Sequence, residues 1–212
     1  MTTPSREERL SGLLRLAKII PVITIEEVEH AVPLARALVG GGLRLLEITL
    51  RTPAGFAAAE AIMRAVPDAV VGIGTVLTPA DLARAAAIGA QFALSPGATP
   101  ELLDAAAAGD LPFMPGVATA SELMQAMVRG FGTVKFFPAA TMGGIPALRA
   151  LGGPFPSARF CPTGGVGASN AAEWLAVPNV VAVGGSWLTP ASDLRARNWE
   201  VIEEYARQAS AL

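Results

Sequence analysis

The chain has 212 residues, 52% of them hydrophobic, enough to bury a full core but too few for two ordinary domains. Its 16 basic and 18 acidic residues leave a formal charge of −2, which offers no positive field to a phosphodiester backbone and argues against nucleic-acid binding. A single cysteine, Cys161, and a single histidine, His30, argue against an intramolecular disulfide, a zinc or other metal site, and histidine-based acid–base chemistry.

In chain order, Met1–Lys18 mixes Arg, Glu and Leu at helical spacing and lacks an apolar run followed by a small-residue cleavage site. An extra N-terminal helix is predicted there, and no secretory leader. No stretch approaches the roughly 18 apolar residues of a membrane span, so a cytoplasmic protein with no membrane contact is expected. Short apolar runs then alternate with helix-compatible stretches. The first pairs are Ile19–Thr24 with Glu26–Val39, Arg44–Leu50 with Ala54–Ala65, Ala69–Thr75 with Pro79–Ile88, and Phe92–Ser95 with Pro100–Ala108. The remainder are Pro112–Gly116 with Ala120–Val128, Thr133–Pro138 with Gly144–Leu151, Ala158–Pro162 with Ser169–Leu175, and Val180–Val183 with Leu188–Ala209. Most runs do not alternate, as expected of parallel strands covered on both faces. Thr78-Pro79 and Thr99-Pro100 each place a hydroxyl at an N-cap with proline at the first helical position.

Such βα units either close into a barrel or spread into a doubly wound sheet. An open nucleotide-binding sheet carries G-x-G-x-x-G in its first βα turn, where this chain has Val22-Ile23-Thr24-Ile25-Glu26. Gly72-Ile73-Gly74-Thr75-Val76-Leu77 lacks the third glycine. The expectation is therefore an α/β fold: a single (β/α)8 barrel of TIM type over residues 1–212, with the N-terminal helix closing its base.

The basic residues are nearly all arginine; only Lys18 and Lys135 are lysine. Lys135 stands in Thr133-Val134-Lys135-Phe136-Phe137-Pro138, within a predicted strand. Burial disfavours an ammonium and favours the neutral amine, the form that attacks a ketone to give a Schiff base. The competing account is a lysine that snorkels from an edge strand or pairs structurally with a carboxylate. Glu47 is the only acid inside any predicted strand. By period two it shares a face with Thr49 and Arg51, and that face would be the lumen, giving a carboxylate below an anion clamp. A plain Glu47–Lys135 ion pair is the alternative, although desolvation makes such a pair a poor source of stability.

Glycine doublets follow the last two predicted strands, in Thr163-Gly164-Gly165-Val166-Gly167 and Gly184-Gly185-Ser186-Trp187. Backbone amides freed by glycine before a helix make a concave anion site, and barrels frequently bind phosphate in the loops after strands seven and eight. Cys161 reads as a small core residue, and His30 as a surface or packed side chain. Trp174, Trp187 and Trp199 are too scattered for a stacking platform.

Taken together, these stretches resemble the KDPG/KHG aldolase family. The resemblance runs from about Ile19 to Pro190 and is carried by Pro21-Val22-Ile23, Glu47-Ile48-Thr49-Leu50-Arg51-Thr52, Gly72-Ile73-Gly74-Thr75-Val76-Leu77 and Ser95-Pro96-Gly97. It continues through Pro115-Gly116-Val117, Val134-Lys135-Phe136-Phe137-Pro138-Ala139, Arg159-Phe160-Cys161-Pro162-Thr163-Gly164-Gly165-Val166 and Gly184-Gly185-Ser186-Trp187-Leu188. It implies a homotrimeric barrel that needs neither metal nor cofactor and acts as a class I aldolase. The implied reaction is reversible cleavage of a phosphorylated sugar acid, 2-keto-3-deoxy-6-phosphogluconate, to pyruvate and glyceraldehyde 3-phosphate. By the same resemblance Lys135 forms the Schiff base, Glu47 shuttles protons, and Arg51 and Thr75 hold the pyruvyl carboxylate. Thr163 then contacts the sugar-acid chain, and Gly164, Gly165 and Ser186 take the phosphate.

The pattern breaks at Ala140, where family members commonly carry Glu after F-F-P-A. Two alternatives accompany this reading. One keeps the chemistry but makes 4-hydroxy-2-oxoglutarate or the galactonate epimer the main substrate, against which the F-C-P-T-G-G stretch argues for the gluconate form. The other is a non-catalytic phosphosugar-binding barrel, supported only by Ala140.

Overall fold

The computed structural model describes residues 4–212, so the first three residues of the predicted N-terminal helix lie outside the described residues. The chain opens with α1 (Arg6–Leu14), β1 (Ile19–Ile23), α2 (Ala31–Gly40), β2 (Leu45–Thr49), α3 (Gly55–Ala65), β3 (Val70–Gly74) and α4 (Pro79–Ala87). It continues through β4 (Phe92–Leu94), α5 (Pro100–Ala108), β5 (Phe113–Met114), β6 (Gly116–Val117), α6 (Ala120–Met127), β7 (Thr133–Phe136) and α7 (Gly144–Gly152). The last elements are β8 (Arg159–Pro162), α8 (Ala171–Leu175), β9 (Val183–Gly185), α9 (Ala191–Ala196) and α10 (Trp199–Ser210).

The strands pair in parallel, in a six-stranded sheet ordered β5-β4-β3-β2-β1-β9 and a three-stranded sheet ordered β6-β7-β8. Parallel strands follow from the alternation with helices, because a crossover must return the chain to the same end of the sheet. Single bridges at Phe160–Val180 and Thr163–Gly184 join β8 to the segment that leads into β9.

Most predicted elements end within a residue or two of their observed bounds, and the larger differences have local causes. The helix expected over Glu26–Val39 begins only at Ala31, after a 3-10 turn at Val28–His30. A start at Glu26 would put Pro33 in the helix interior, whereas a start at Ala31 leaves it in the first turn, where no N–H is required. The strand expected over Pro112–Gly116 divides into β5 and β6 at Pro115, which has no N–H to give to a ladder; its carbonyl still accepts the Lys135 N–H at 2.9 Å. The helix expected over Ser169–Leu175 starts at Ala171, after a turn in which Asn170 Oδ1 accepts the Gly167 N–H. The last strand is Val183–Gly185 and not Val180–Val183, because the glycine doublet itself pairs with Ile20 and Pro21. The helix expected over Leu188–Ala209 breaks in two at Arg197, whose φ of 56° is left-handed.

The predicted caps are formed: Thr78 Oγ1 accepts the Asp81 N–H at 3.1 Å and Thr99 Oγ1 accepts the Leu102 N–H at 3.3 Å. Each satisfies an amide that would otherwise lack a partner, and so fixes where a helix leaves the loop after its strand.

Two apolar clusters fill the molecule. The larger joins outward strand residues such as Ile19, Ile23, Ile48, Ile73 and Val134 to the inner faces of the helices. The smaller holds Ile20, Leu45, Phe92, Leu94, Met114, Cys161 and Ala182 from the opposite strand faces, together with Leu10 and Leu14 of α1. Among the described residues, no helix is long and apolar enough to cross a membrane.

Candidate active site

Lys135 and Glu47 are the only charged side chains that are buried among the described residues. One comes from β7 and the other from β2, in different sheets, yet Lys135 Nζ donates to Glu47 Oε1 at 2.8 Å. Their side chains keep 4% and 1% of their accessible surface, so this contact is dry. Strand periodicity explains the convergence: Leu45 belongs to the inner cluster, and Glu47, two positions on, shares its face. Lys135 is the register partner of Cys161, another member of that cluster.

The pair is closely packed. Gly72 and Gly74 leave one face of β3 bare above Val70; a β-carbon at Gly72 would lie 2.3 Å from the Phe92 ring, and one at Gly74 would lie 2.2 Å from Glu47 Oε1. The Lys135 ammonium lies 5.5 Å from the centre of the Phe137 ring. Glu47 Oε2 is buried and has no hydrogen-bond partner among the described residues, an acceptor left waiting for a donor. Burial pushes the Cys161 thiol up to about 12, a rise that the nearby lysine only partly offsets.

The other residues singled out from sequence fall into three groups. Thr163 is buried at the top of β8, its hydroxyl against Gly184, where a β-carbon would come within 2.4 Å of Oγ1. Gly164 and Gly165 follow with φ of 94° and 77°, a left-handed pair that glycine adopts at little cost. Their turn is tied to the loop after β7, because the Ala139 and Ala140 amides donate to the carbonyls of Thr163 and Gly164. Among the described residues no acceptor takes the N–H groups of Gly165 and Val166. Thr75 stands just past β3 with φ of 61°, strained for a β-branched residue.

One expectation needs correction. Gly184 and Gly185 do not form a loop after the last strand; they lie inside β9, and Gly185 is packed by the Trp187 ring, 1.8 Å from where its β-carbon would be. Their small size serves close approach, and the exposed Ser186 is the residue that follows the strand, bordering a rim cavity of about 230 Å³ with Val22, Thr24 and Thr189. Arg51 stands two residues beyond the end of β2 at Thr49 and is exposed. Thr49 is on that strand but buried, its hydroxyl donating to the Ile23 carbonyl at 2.9 Å.

Sequence reasoning gave no part to Phe92 or to the spacing of Gly72 and Gly74. The available signal was two glycines at i and i+2 in one strand, which strip one face and mark where a bulky neighbour must cross. Cys161 and His30 match their plain readings: the thiol is buried, and the half-buried imidazole sits edge-on to Trp199 with centroids 5.7 Å apart.

Comparison with known proteins agrees with this arrangement. The family model described as KDPG and KHG aldolase matches residues 10–205. The KHG/KDPG aldolase of Escherichia coli (strain K12) is 50% identical over 198 residues, 93% of each chain. The 2-dehydro-3-deoxy-phosphogluconate aldolase of Dickeya dadantii (strain 3937) is 50% identical over 199 residues, 94% of this chain and 93% of its own. The crystal structure of a KDPG aldolase from Legionella pneumophila, with pyruvate captured as a covalent carbinolamine intermediate, superposes with a TM-score of 0.92 at 46% identity. That match covers 94% of this chain and 97% of the other. A buried lysine held by a buried glutamate, on a chain this similar from end to end, has one account: the chain belongs to the KDPG and KHG aldolase family.

Proposed function

We propose that this chain is a class I aldolase that reversibly cleaves 2-keto-3-deoxy-6-phosphogluconate to pyruvate and glyceraldehyde 3-phosphate. The observation that carries the reading is the 2.8 Å contact between Lys135 and Glu47, two groups that folding has removed from water. A structural role would be an expensive way to place them, since desolvation offsets much of their attraction. The covalent carbinolamine with pyruvate in the Legionella relative supports the same chemistry.

The steps follow from the geometry. Glu47 takes a proton from Lys135 along their hydrogen bond, and the free electron pair on Nζ adds to the C2 ketone. The resulting carbinolamine loses water, with Glu47 returning a proton to the departing hydroxyl, to leave a protonated imine. Glu47 then accepts the C4 hydroxyl proton; the C3–C4 electrons move into the iminium as the aldehyde departs, leaving an enamine of pyruvate. Protonation at C3 and addition of water free pyruvate and restore the amine.

Around this pair the remaining roles are proposals of the same reading. Arg51, at the rim above β2, and Thr75, at the strained exit of β3, hold the pyruvyl carboxylate. Thr163 contacts the sugar-acid chain. The turn at Gly164 and Gly165 takes the phosphate on its free amides, and Ser186 faces it from the next loop. The two sheets complete a single (β/α)8 barrel, a closure supported by the continuity of β5 into β6 and by the bridges from β8 toward β9. In this architecture α1 caps the base, and the working enzyme is a cytoplasmic homotrimer.

Pyruvate and borohydride test the core of the reading. Mass spectrometry should find the reduced adduct on Lys135, and a coupled assay should detect pyruvate released from the phosphorylated substrate. Ligand uptake without pyruvate release would leave the barrel as a binding protein.

A further inference from the structure

We infer that α1 is a positioning element of the active site: Leu10 and Leu14 seal the floor beneath Lys135 and Glu47, and Glu7 fixes that seal by holding Thr133. The inference rests on the reading of Lys135 as the imine-forming amine, and it gives the helix outside the βα repeat a part in the chemistry.

The packing runs from helix to catalytic pair through one shared apolar layer. Leu10 and Leu14 are buried in the inner cluster with Leu45, Phe92 and Cys161. Leu45 is two residues below Glu47 on the same face of β2, and Cys161 is the register partner of Lys135. Thr133 is two residues below Lys135 on the same face of β7; its hydroxyl donates to Glu7 Oε1. The helix is also clamped from outside: Arg6 donates to the Ala106 carbonyl and Arg9 to the carbonyl and carboxylate of Asp110. These anchors hold α1 across the ends where β5 and β7 begin.

The charged and titratable groups around the amine are few. Glu47 faces it from β2, Cys161 stands beside it on β8, and Gly116, its register partner on β6, brings no side chain. Below, Glu7 on α1 is held by Thr133, whose register partner is the exposed Arg159. With so little polar matter near the floor, the leucines decide whether water reaches the amine from below. A dry floor leaves Glu47 as the one proton partner of Lys135; a wet one opens a competing route for that proton.

The test is the pH dependence of cyanoborohydride trapping of pyruvate on the full-length protein, read beside the thermal midpoint. Leu10→Asn, which invites water into the floor, should move the trapping midpoint upward by about one pH unit or more. Leu10→Met, which restores the apolar volume, should leave it in place. A folded Leu10→Asn with a lowered thermal midpoint and an unmoved trapping midpoint overturns the inference, since a purely structural leucine would behave so. If Leu10→Asn does not fold, Thr133→Val, which removes only the hook for Glu7, carries the same test with the same two outcomes. Absence of any adduct in the unaltered protein strikes at the aldolase reading instead, which separates the two failures.

Discussion

The carboxylate of Glu47 occupies the space that a β-carbon would fill at Gly74, with Oε1 2.2 Å from that position. Close approach of this kind leaves no room for adjustment by a side-chain tip, because Glu47 is itself hydrogen-bonded to Lys135 and enclosed. Gly74→Ala should therefore push the carboxylate off Lys135 and lower turnover by about 100-fold, the scale of a lost acid–base group. Overpacking should also cost roughly 1–3 kcal/mol of stability. Steady-state pyruvate release and a urea melt measure the two effects; wild-type turnover in a folded Gly74→Ala protein would mean that Glu47 needs no fixed position.

Removing one member of the buried pair separates chemistry from stability. Lys135→Met should abolish both adduct formation and turnover, and should destabilise the fold by about 3–5 kcal/mol because it strands a carboxylate. The double variant Lys135→Met with Glu47→Gln should regain much of the loss while remaining inactive. Glu47→Gln alone should still form the imine but turn over at least about 100-fold more slowly. Equal stability of the single and double Lys135 variants would show that the stranded carboxylate finds other partners.

The barrel-like alternation of strand and helix was legible because glycine, proline and N-cap threonines punctuate it, and Lys135 and Glu47 were legible because charge inside an apolar run demands an explanation. The second glycine doublet was misplaced, and the face read for Arg51 ran past the end of its strand, for one physical reason. Period-two reasoning extends a face only as far as the strand continues, and the sequence does not mark the exact ends of β2 and β9. Leu50 continues the apolar run beyond Thr49, and its N–H still donates to the Gly74 carbonyl at 2.9 Å, although the strand itself ends at Thr49. Pro33 and Pro115, by contrast, carried a usable signal: a residue without an N–H locates a helix start or a broken ladder before any coordinates exist. The inner cluster was the least visible feature, since its members come from separate strands and a helix far from them in sequence.

Cys161 should behave as an inert thiol. Its pKa is pushed up to about 12, chiefly by burial, so at neutral pH almost no thiolate exists and no reagent reaches it. Iodoacetamide should leave the native protein unlabelled and label the urea-unfolded chain. The linkage has a definite sign. The folded value lies above that of an unfolded cysteine, near 8.5, so the contribution is fully present below that value and fades as pH rises toward about 12. Cys161→Ala should flatten the alkaline fall of unfolding free energy in that window, and an identical fall in both proteins would remove the thiol from the account.

The turn at Gly164 and Gly165, proposed to take the phosphate, makes the last prediction, because it separates recognition of the distal group from imine chemistry. Gly165 has φ of 77°, and a β-carbon there would meet that of Ala140 at 2.3 Å. Gly165→Ala is thus strained twice, by backbone conformation and by collision, and the loop must shift the amides of Gly165 and Val166. Each charge-assisted hydrogen bond lost is worth about 1.5 kcal/mol or more, slightly over a tenfold change in affinity. KM for the phosphorylated substrate should rise about tenfold or more, while 4-hydroxy-2-oxoglutarate, which has no phosphate, should be handled nearly as before. Trapping of pyruvate on Lys135 should be unchanged, since β7 and its pair with Glu47 do not depend on that turn. A parallel loss on both substrates would instead mean that the turn supports the fold and that the phosphate is held elsewhere.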